Sequence, residues 1–442
     1  MAKTFETVKG TYDYLPEEQI IREHIKDTLK KVFVTYGFPP AETPILCMYD
    51  LLASKYSEEA DILNEMYTLS DQGKRELGLR YDLTVCFSKL ISSNAGITLP
   101  LKRYEIGKVF RDGPVKLGRN REFTQCDVDV VGISSLLQEA EYMTLTTEAY
   151  QALGLDVEIL YNNRKLLSGV IQSVLGDMEP DVLRKAIMLI DKLAKMTADE
   201  LAKEFEAIGY EKKKFTKVRD LLLLDFHGLK EALKDYPSNE LMEEGLKEVE
   251  ELQAYTKDTP AEKTMVFAPY LARGIDIYTG TVWEIFLKDR NMKGHDFNVS
   301  LGGGGRYDHI ITEFVSDGKE YPAVGMSFGL DVIYEVLKIK EEGKPHPAID
   351  LFVMPIGTEK EAFALVSALR EKGVRADIEK TGRRVKKSMN YANKENIPYV
   401  VVLGGDEVAN GEISLKHMES GEEFKYSIQD IEGIAARILE TE

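Results

Sequence analysis

Two runs in which apolar and polar residues alternate, LKRYEIGKVF and REFTQCDVDVVG, enclose a loop rich in Gly, Pro and Arg. Alternation with period two sends successive side chains to opposite faces of a strand, and two such runs joined by turn-forming residues predict a long antiparallel hairpin. Arg111 falls where the first strand ends, and Arg119 and Arg121 fall where the second begins. A guanidinium presents a planar fork of donors that grips phosphate oxygens in two places and stays charged at any working pH. The hairpin therefore reads as a phosphate clamp. Gln125, Asp127 and Asp129 alternate on the returning strand and share one face, and two acids beside a basic loop suit a cationic or hydrogen-bond-donating ligand. Taken alone, such a hairpin is more often a solvated edge whose charges pair with each other.

Two further segments change that balance. Arg273 to Tyr278, and Gly302 to Asp308 continuing to Asp331, again set an arginine among acids and glycines. Together the three stretches describe a site that holds an anion and a small polar ligand. The four glycines at 302–305 permit close backbone approach to a substrate, or equally a tightly packed core strand. No GK[ST] follows them, so they are not a P-loop.

The segment FRDGPVKLGRNREFTQCDVD resembles motif 2 of a class II aminoacyl-tRNA synthetase, in the form used by histidyl-tRNA synthetases. Other landmarks similar to that family follow in order: KGTYDYLPEE near the start, Pro44 in AETPILCMYDLL at the place of the motif 1 interface proline, LRYDLT, ARGIDIYTGTVWEIF, and SLGGGGRYDHII followed by PAVGMSFGLD. LRYDLT and Asp129 carry the spelling of archaeal and eukaryotic-like members. The resemblance covers nearly the whole chain. It implies an α/β protein with an α+β catalytic core, an antiparallel sheet flanked by helices, a helical insertion, and a C-terminal α/β anticodon-binding domain. It further implies a histidine–tRNA ligase using ATP with Mg²⁺, acting on histidine and its tRNA as a homodimer.

Joining a carboxylate to the α-phosphate of ATP brings two anions together, and positioned cations do most of that work. The resemblance assigns this to Arg111 on the hairpin and Arg273 opposite it. Asp112, Arg119, Arg121, Phe123 and Arg306 are the further ATP-binding candidates, with Phe123 stacking on adenine. Asp82 would meet the α-ammonium group, with Leu83, Thr84 and Gln125 holding the ligand backbone. Asp129 and Tyr278 would take the imidazole, and Ile277 stands where the family carries a tyrosine. An imidazole offers two N–H groups, or one N–H and one lone pair, so a pocket that leaves its own polar groups unpaired rejects the wrong ligand. The Mg²⁺ ligands stay open. In motif 3 the family arginine that lies against adenine is replaced by Val332. That departure keeps a second reading in view, a non-catalytic relative that binds histidine as a regulatory subunit of ATP phosphoribosyltransferase.

The remaining composition is compatible with the ligase. A chain of 442 residues predicts two to three domains, and no apolar run approaches 18 residues. The opening MAKTFETVKG lacks the apolar core of a signal peptide. Cys47, Cys86 and Cys126 are too few and too widely spaced for a disulfide framework or zinc site, which points to a cytoplasmic chain with reduced thiols. A net charge of −18 opposes nucleic-acid binding at large. KTGRRVKK supplies a local exception, with Arg383, Arg384, Lys386 and Lys387 as tRNA-binding candidates.

The expected organisation is a catalytic core over 1–164 and 261–340, interrupted by a helical insertion over 165–260. A polar linker, 341–348, leads to an anticodon-binding domain over 349–442, where alternating strands and helices predict a largely parallel sheet.

Overall fold

The computed structural model describes residues 5–54, 61–94, 96–116, 118–193, 196–273, 277–341 and 347–440. The chain divides into two compact units, one of Arg22–Lys340 with the N-terminal residues up to Asp13, the other of Glu341–Glu442 with Tyr14–Ile21.

The first unit is built on a seven-stranded sheet. Its strands are β1 (Leu101–Phe110), β2 (Glu122–Val131), β3 (Val157–Asn163), β4 (Met265–Phe267), β5 (Thr281–Leu287), β6 (Gly302–Arg306) and β7 (Ala323–Gly329). They lie side by side in the order β1-β2-β7-β6-β5-β3-β4. Every neighbouring pair is antiparallel except β3 and β4. β1 and β2 form the hairpin that their alternation predicts, paired from Leu101 opposite Val131 to Phe110 opposite Glu122.

The period of two divides this sheet into an oily face and a polar one. On the oily face Phe33, from the helix Pro16–Thr35, packs against Tyr104 and Phe328, and Tyr142 and Tyr150, from the helix Leu137–Ala152, pack against Trp283 and Phe328. Tyr142 donates its hydroxyl to the carbonyls of Val128 and Val324, so its polar tip is satisfied inside the core. Burial of each such aromatic stabilises the fold by roughly 2–3 kcal/mol. The opposite face carries the charged residues.

Every described element from Arg164 to Thr256 is a helix. Asn163 caps the first by accepting from the amides of Lys165 and Leu166, and a Thr197–Glu200 capping box opens the helix Ala198–Ala207. Gly169 and Gly245 let two of these helices touch backbone to backbone: a Cβ on Gly245 would lie 2.3 Å from the amide nitrogen of Leu166.

Elsewhere in this unit, Cys47 and Cys86 are buried free thiols that share a hydrogen bond with their sulfurs 3.6 Å apart, a proximity that their wide spacing conceals.

The second unit has a five-stranded sheet. Leu351–Pro355 lies between Ala376–Ile378 and Tyr399–Leu403, all parallel, and Glu412–His417 and Glu423–Ser427 extend it antiparallel. The three parallel strands are those read from the sequence. The final hairpin was not, because its residues are mostly polar and half-exposed and lack an apolar run. The basic segment leads into the helix Val385–Lys394, where Arg383, Arg384, Lys386 and Lys387 are exposed.

Candidate active site

The polar face of the seven-stranded sheet floors an open cavity of about 310 Å³, lined by residues of four distant segments. Strand register explains the gathering. Gln125, Asp127 and Asp129 on β2 lie opposite Gly107, Glu105 and Arg103 on β1, and opposite Gly329, Ser327 and Gly325 on β7. Gly303 and Gly305 of β6 come next, followed by Glu284 and Val282 of β5.

The glycines are there because other side chains use their space. A Cβ on Gly325 would sit 2.0 Å from Asp129 Oδ1, one on Gly305 would sit 2.5 Å from the Tyr278 ring, and one on Gly107 would sit 2.3 Å from Arg80 Nη2. Gly302 and Gly304 face the other way, toward Tyr150 and Trp283. One glycine run thus serves both close packing and the cavity.

Beneath the cavity runs a buried chain of alternating charge. Arg80 holds Glu105 at 2.8 Å, Glu105 faces Arg103 at 3.4 Å, and Arg103 Nη2 stands 2.8 Å from Asp129 Oδ2. That last contact is an ion pair out of line for a hydrogen bond, since Asp129 Oδ2 has no hydrogen-bond partner among the described residues. Tyr307 donates its hydroxyl to Asp129 Oδ1 at 2.5 Å, and Glu105 also accepts from the amide and hydroxyl of Thr43. Burial works against the charge on Arg103, but Asp129, Asp127 and Glu105 outweigh it and raise its pKa. Burial pushes both aspartates up: Asp127 to about 8, with Asp129 adding to the shift, and Asp129 upward against the pull of Arg103 and the Tyr307 hydroxyl.

Two arginines line the cavity from different segments. Arg111 is anchored by its Nε on the carbonyl of Tyr81 at 3.1 Å and lies 5.1 Å from the centre of the Phe123 ring. Arg273 donates to the carbonyl of Trp283 at 3.2 Å, sits 3.6 Å from Glu284, and lies 5.4 Å from the Tyr278 ring centre. Its φ of +43° is a left-handed backbone uncommon for a side-chain-bearing residue. Asp82 accepts from the amide of Val85 and so opens the helix Thr84–Ser92 at the cavity wall.

The family model for Histidyl-tRNA synthetase matches residues 10–333, and that for Anticodon binding domain matches 350–437. The chain belongs to the histidyl-tRNA synthetase family. Histidine–tRNA ligase 1 of Bacillus cereus is 44% identical over 96% of this chain and 98% of its own length. The crystal structure of histidyl-tRNA synthetase from Nostoc sp. PCC 7120 superposes with a TM-score of 0.85 at 29% identity, covering 99% of this chain and all of that one. An ATP phosphoribosyltransferase regulatory subunit/histidyl-tRNA synthetase from Bacillus halodurans C shares the fold, with a TM-score of 0.75 at 20% identity over 92% of this chain.

Of the site residues expected from this family's motifs, Asp82, Thr84, Arg111, Phe123, Gln125, Asp129, Arg273, Ile277 and Tyr278 line the one cavity. Others stand apart from it. Leu83 is fully buried and offers only its carbonyl, to Arg103. Arg119 pairs with Glu65 from an upstream segment, and Arg121 with Asp112 of the loop itself, so Arg111 alone of the hairpin's arginines lines the cavity. Arg306 is a clear correction. Its guanidinium makes two 2.7 Å bonds to buried Glu139 and a third to the carbonyl of Ile133, which fixes it in the core away from the cavity. Val332, at the family's arginine position, packs against the hairpin loop, where a Cβ on Gly118 would lie 2.8 Å from it. Asp276, three residues after Arg273, lies outside the described residues.

Arg103, Glu105, Tyr307 and Ser327 escaped the sequence reading. The alternation on LKRYEIG already placed Arg103 and Glu105 on one strand face, but only the register sets them beside Asp129 and Asp127.

Proposed function

We infer that the chain is a histidine–tRNA ligase that activates histidine with ATP and passes the acyl group to the 3′ end of its tRNA. The convergence of Arg111 and Arg273 on one cavity beside a buried acidic floor carries this reading. A histidine carboxylate oxygen attacks the α-phosphorus of ATP, the new O–P bond forms, and pyrophosphate leaves with the electrons of the broken bond. Arg111 and Arg273 hold the negative charge that builds on the phosphoryl oxygens, and neither moves a proton. In a second step a hydroxyl oxygen of the terminal adenosine bonds to the adenylate's carbonyl carbon, the carbonyl carbon–phosphate oxygen bond breaks, AMP departs with its electrons, and the hydroxyl proton passes to the departing phosphate or to solvent.

Asp82 pairs with the α-ammonium group, Thr84 and Gln125 hold the amino-acid backbone, and Asp129 and Tyr278 bind the imidazole. Phe123, with Arg111 on its ring, provides the adenine platform that Val332 does not. Mg²⁺ bound with the nucleotide would supply charge neutralisation for the leaving pyrophosphate. Of the carboxylates lining the cavity, Glu284 would be a candidate to hold the ion.

The same reading divides the chain into a catalytic core over 1–164 and 261–340, an insertion over 165–260, a linker over 341–348 and an anticodon-binding domain over 349–442, with Arg383, Arg384, Lys386 and Lys387 facing tRNA phosphates. Ile45, Leu46 and Met48, beside Pro44, expose 42%, 51% and 48% of their surface, apolar area that a second copy would cover in a homodimer. A cytoplasmic location follows from the substrates, and no helix among the described residues is long and apolar enough to cross a membrane.

Histidine-dependent ATP–pyrophosphate exchange tests the reading, with Arg273→Ala as the control. Exchange seen only with histidine and lost in the control is the expected result. Histidine binding without exchange would instead favour the regulatory-subunit reading that Val332 keeps alive.

A further inference from the structure

Asp127 has no part in the reaction as read above, yet it lines the cavity and is only 4% exposed. Its Oδ1 has no hydrogen-bond partner among the described residues. Leaving a buried carboxylate oxygen unpaired is costly, so the place invites a donor from a ligand. Asp127 and Asp129 stand two residues apart on one strand face, about 6.6 Å along β2. An imidazole carries its two nitrogens on opposite edges, and with both protonated it spans acceptors about that far apart.

The charges around the pair point the same way. Arg103 and Glu105 face it from β1, Asp129 adjoins it on β2, Asp82 comes from the loop before the Thr84–Ser92 helix, and Tyr307 follows β6. β7 contributes only the Ser327 hydroxyl, which bonds Asp127 and in turn accepts from Gln125. Tyr278, Arg273, Glu284 and Arg111 complete the titratable and charged groups of the lining, with both arginines donating to backbone carbonyls. In the buried chain Arg80 and Arg103 pair with Glu105 and Asp129, and Asp127 adds a further buried carboxylate with no ion pair of its own among the described residues.

We propose that Asp127 is a second ring-recognising carboxylate: Asp127 and Asp129 each accept one N–H of the histidine side chain, which is held as the imidazolium, and Tyr278 contacts the ring through its aromatic face rather than its hydroxyl. This rests on the cavity being the histidine site. It makes histidine binding proton-linked. Near neutrality the free site holds a proton, since Asp127 is pushed up to about 8, while the free ligand's ring, with an ordinary pKa of about 6.5, is mostly neutral. Binding then moves that proton from the carboxyl to the ring with no net exchange. Above about pH 8 the free site has lost the proton and binding must draw one from solvent, so affinity falls about tenfold per pH unit. Below about pH 6.5 ring and site both carry one, and a proton must be released.

Calorimetric titration of the full chain with L-histidine, in buffers of different ionisation enthalpy, reads this directly. Wild type should take up close to zero protons at pH 7.2 and about one at pH 8.5. Asp127→Asn should lose the uptake at pH 8.5 and bind at least tenfold more weakly at pH 7.2. Histidine binding with no proton uptake by wild type at pH 8.5 overturns the proposal, and that measurement needs no variant to fold. An unchanged uptake in folded Asp127→Asn overturns it as well. Absence of any histidine binding would also remove the histidine reading of the cavity, a different failure from binding without proton linkage.

Discussion

A Cβ placed on Gly303 would stand 2.3 Å from Nη1 of Arg273. The central strand of the sheet therefore does without a side chain at the point where the arginine crosses it, and the guanidinium lies over bare backbone beside the Trp283 carbonyl. Gly303→Ala should displace Arg273 from the cavity while sparing Asp82 and Gln125 at the other end. Expected are a fall of about 100-fold or more in kcat for ATP–pyrophosphate exchange and a histidine Kd within about threefold of wild type. A loss confined to histidine affinity would contradict this placement of Arg273.

The commitment of Arg306 to Glu139 makes it a stability residue. Both side chains are buried, at 8% and 0% exposure, so Arg306→Met strands a carboxylate in the core and should cost about 3–5 kcal/mol. Denaturant titration measures that cost. The surviving folded fraction should keep its KM for ATP, whereas a large rise in that KM at unchanged stability would return Arg306 to the nucleotide site.

Without ligand, Asp127 works against folding in a pH-dependent way. Its pKa is near 8 in the folded chain and about 3.9 when unfolded, so the unfolded state gives up this proton first. The folded state therefore loses stability as pH rises from about 4 to about 8, and nothing further above that. Asn carries no such penalty. Calorimetric melting should show Asp127→Asn above wild type in Tm at pH 8.5, with the advantage shrinking toward pH 4. An advantage independent of pH would show that Asp127 does not titrate as described.

In the C-terminal unit the exposed Lys386 and Lys387 stand in the first turn of the helix Val385–Lys394, where a positive charge opposes the helix dipole. A polyanion would offset that cost. Lys386→Ala and Lys387→Ala should each weaken tRNA binding and lower the slope of log affinity against log salt by about one. Histidine-dependent exchange should be untouched. Unchanged tRNA affinity in the double variant would leave these lysines as solvated helix surface.

The β1–β2 hairpin, the shared face of Gln125, Asp127 and Asp129, and the motifs carrying Arg111 and Arg273 were legible in the sequence because each depends on spacing within a few residues. A strand's period of two and the turn chemistry of a loop are local properties. So is the alternation of strand and helix that marks the C-terminal unit. Long-range register was not legible. It set Arg103 and Glu105 beside the two aspartates and made Gly303, Gly305 and Gly325 the hollow that Arg273, Tyr278 and Asp129 occupy. It also sent Arg306 to Glu139, 167 residues away. A guanidinium pairs with whichever carboxylate the packed sheet and helices bring within reach, and desolvation makes that choice decisive. Chemistry types and their local order thus belong to the sequence, while the tertiary structure alone decided which charges meet in the cavity and which are consumed in the core.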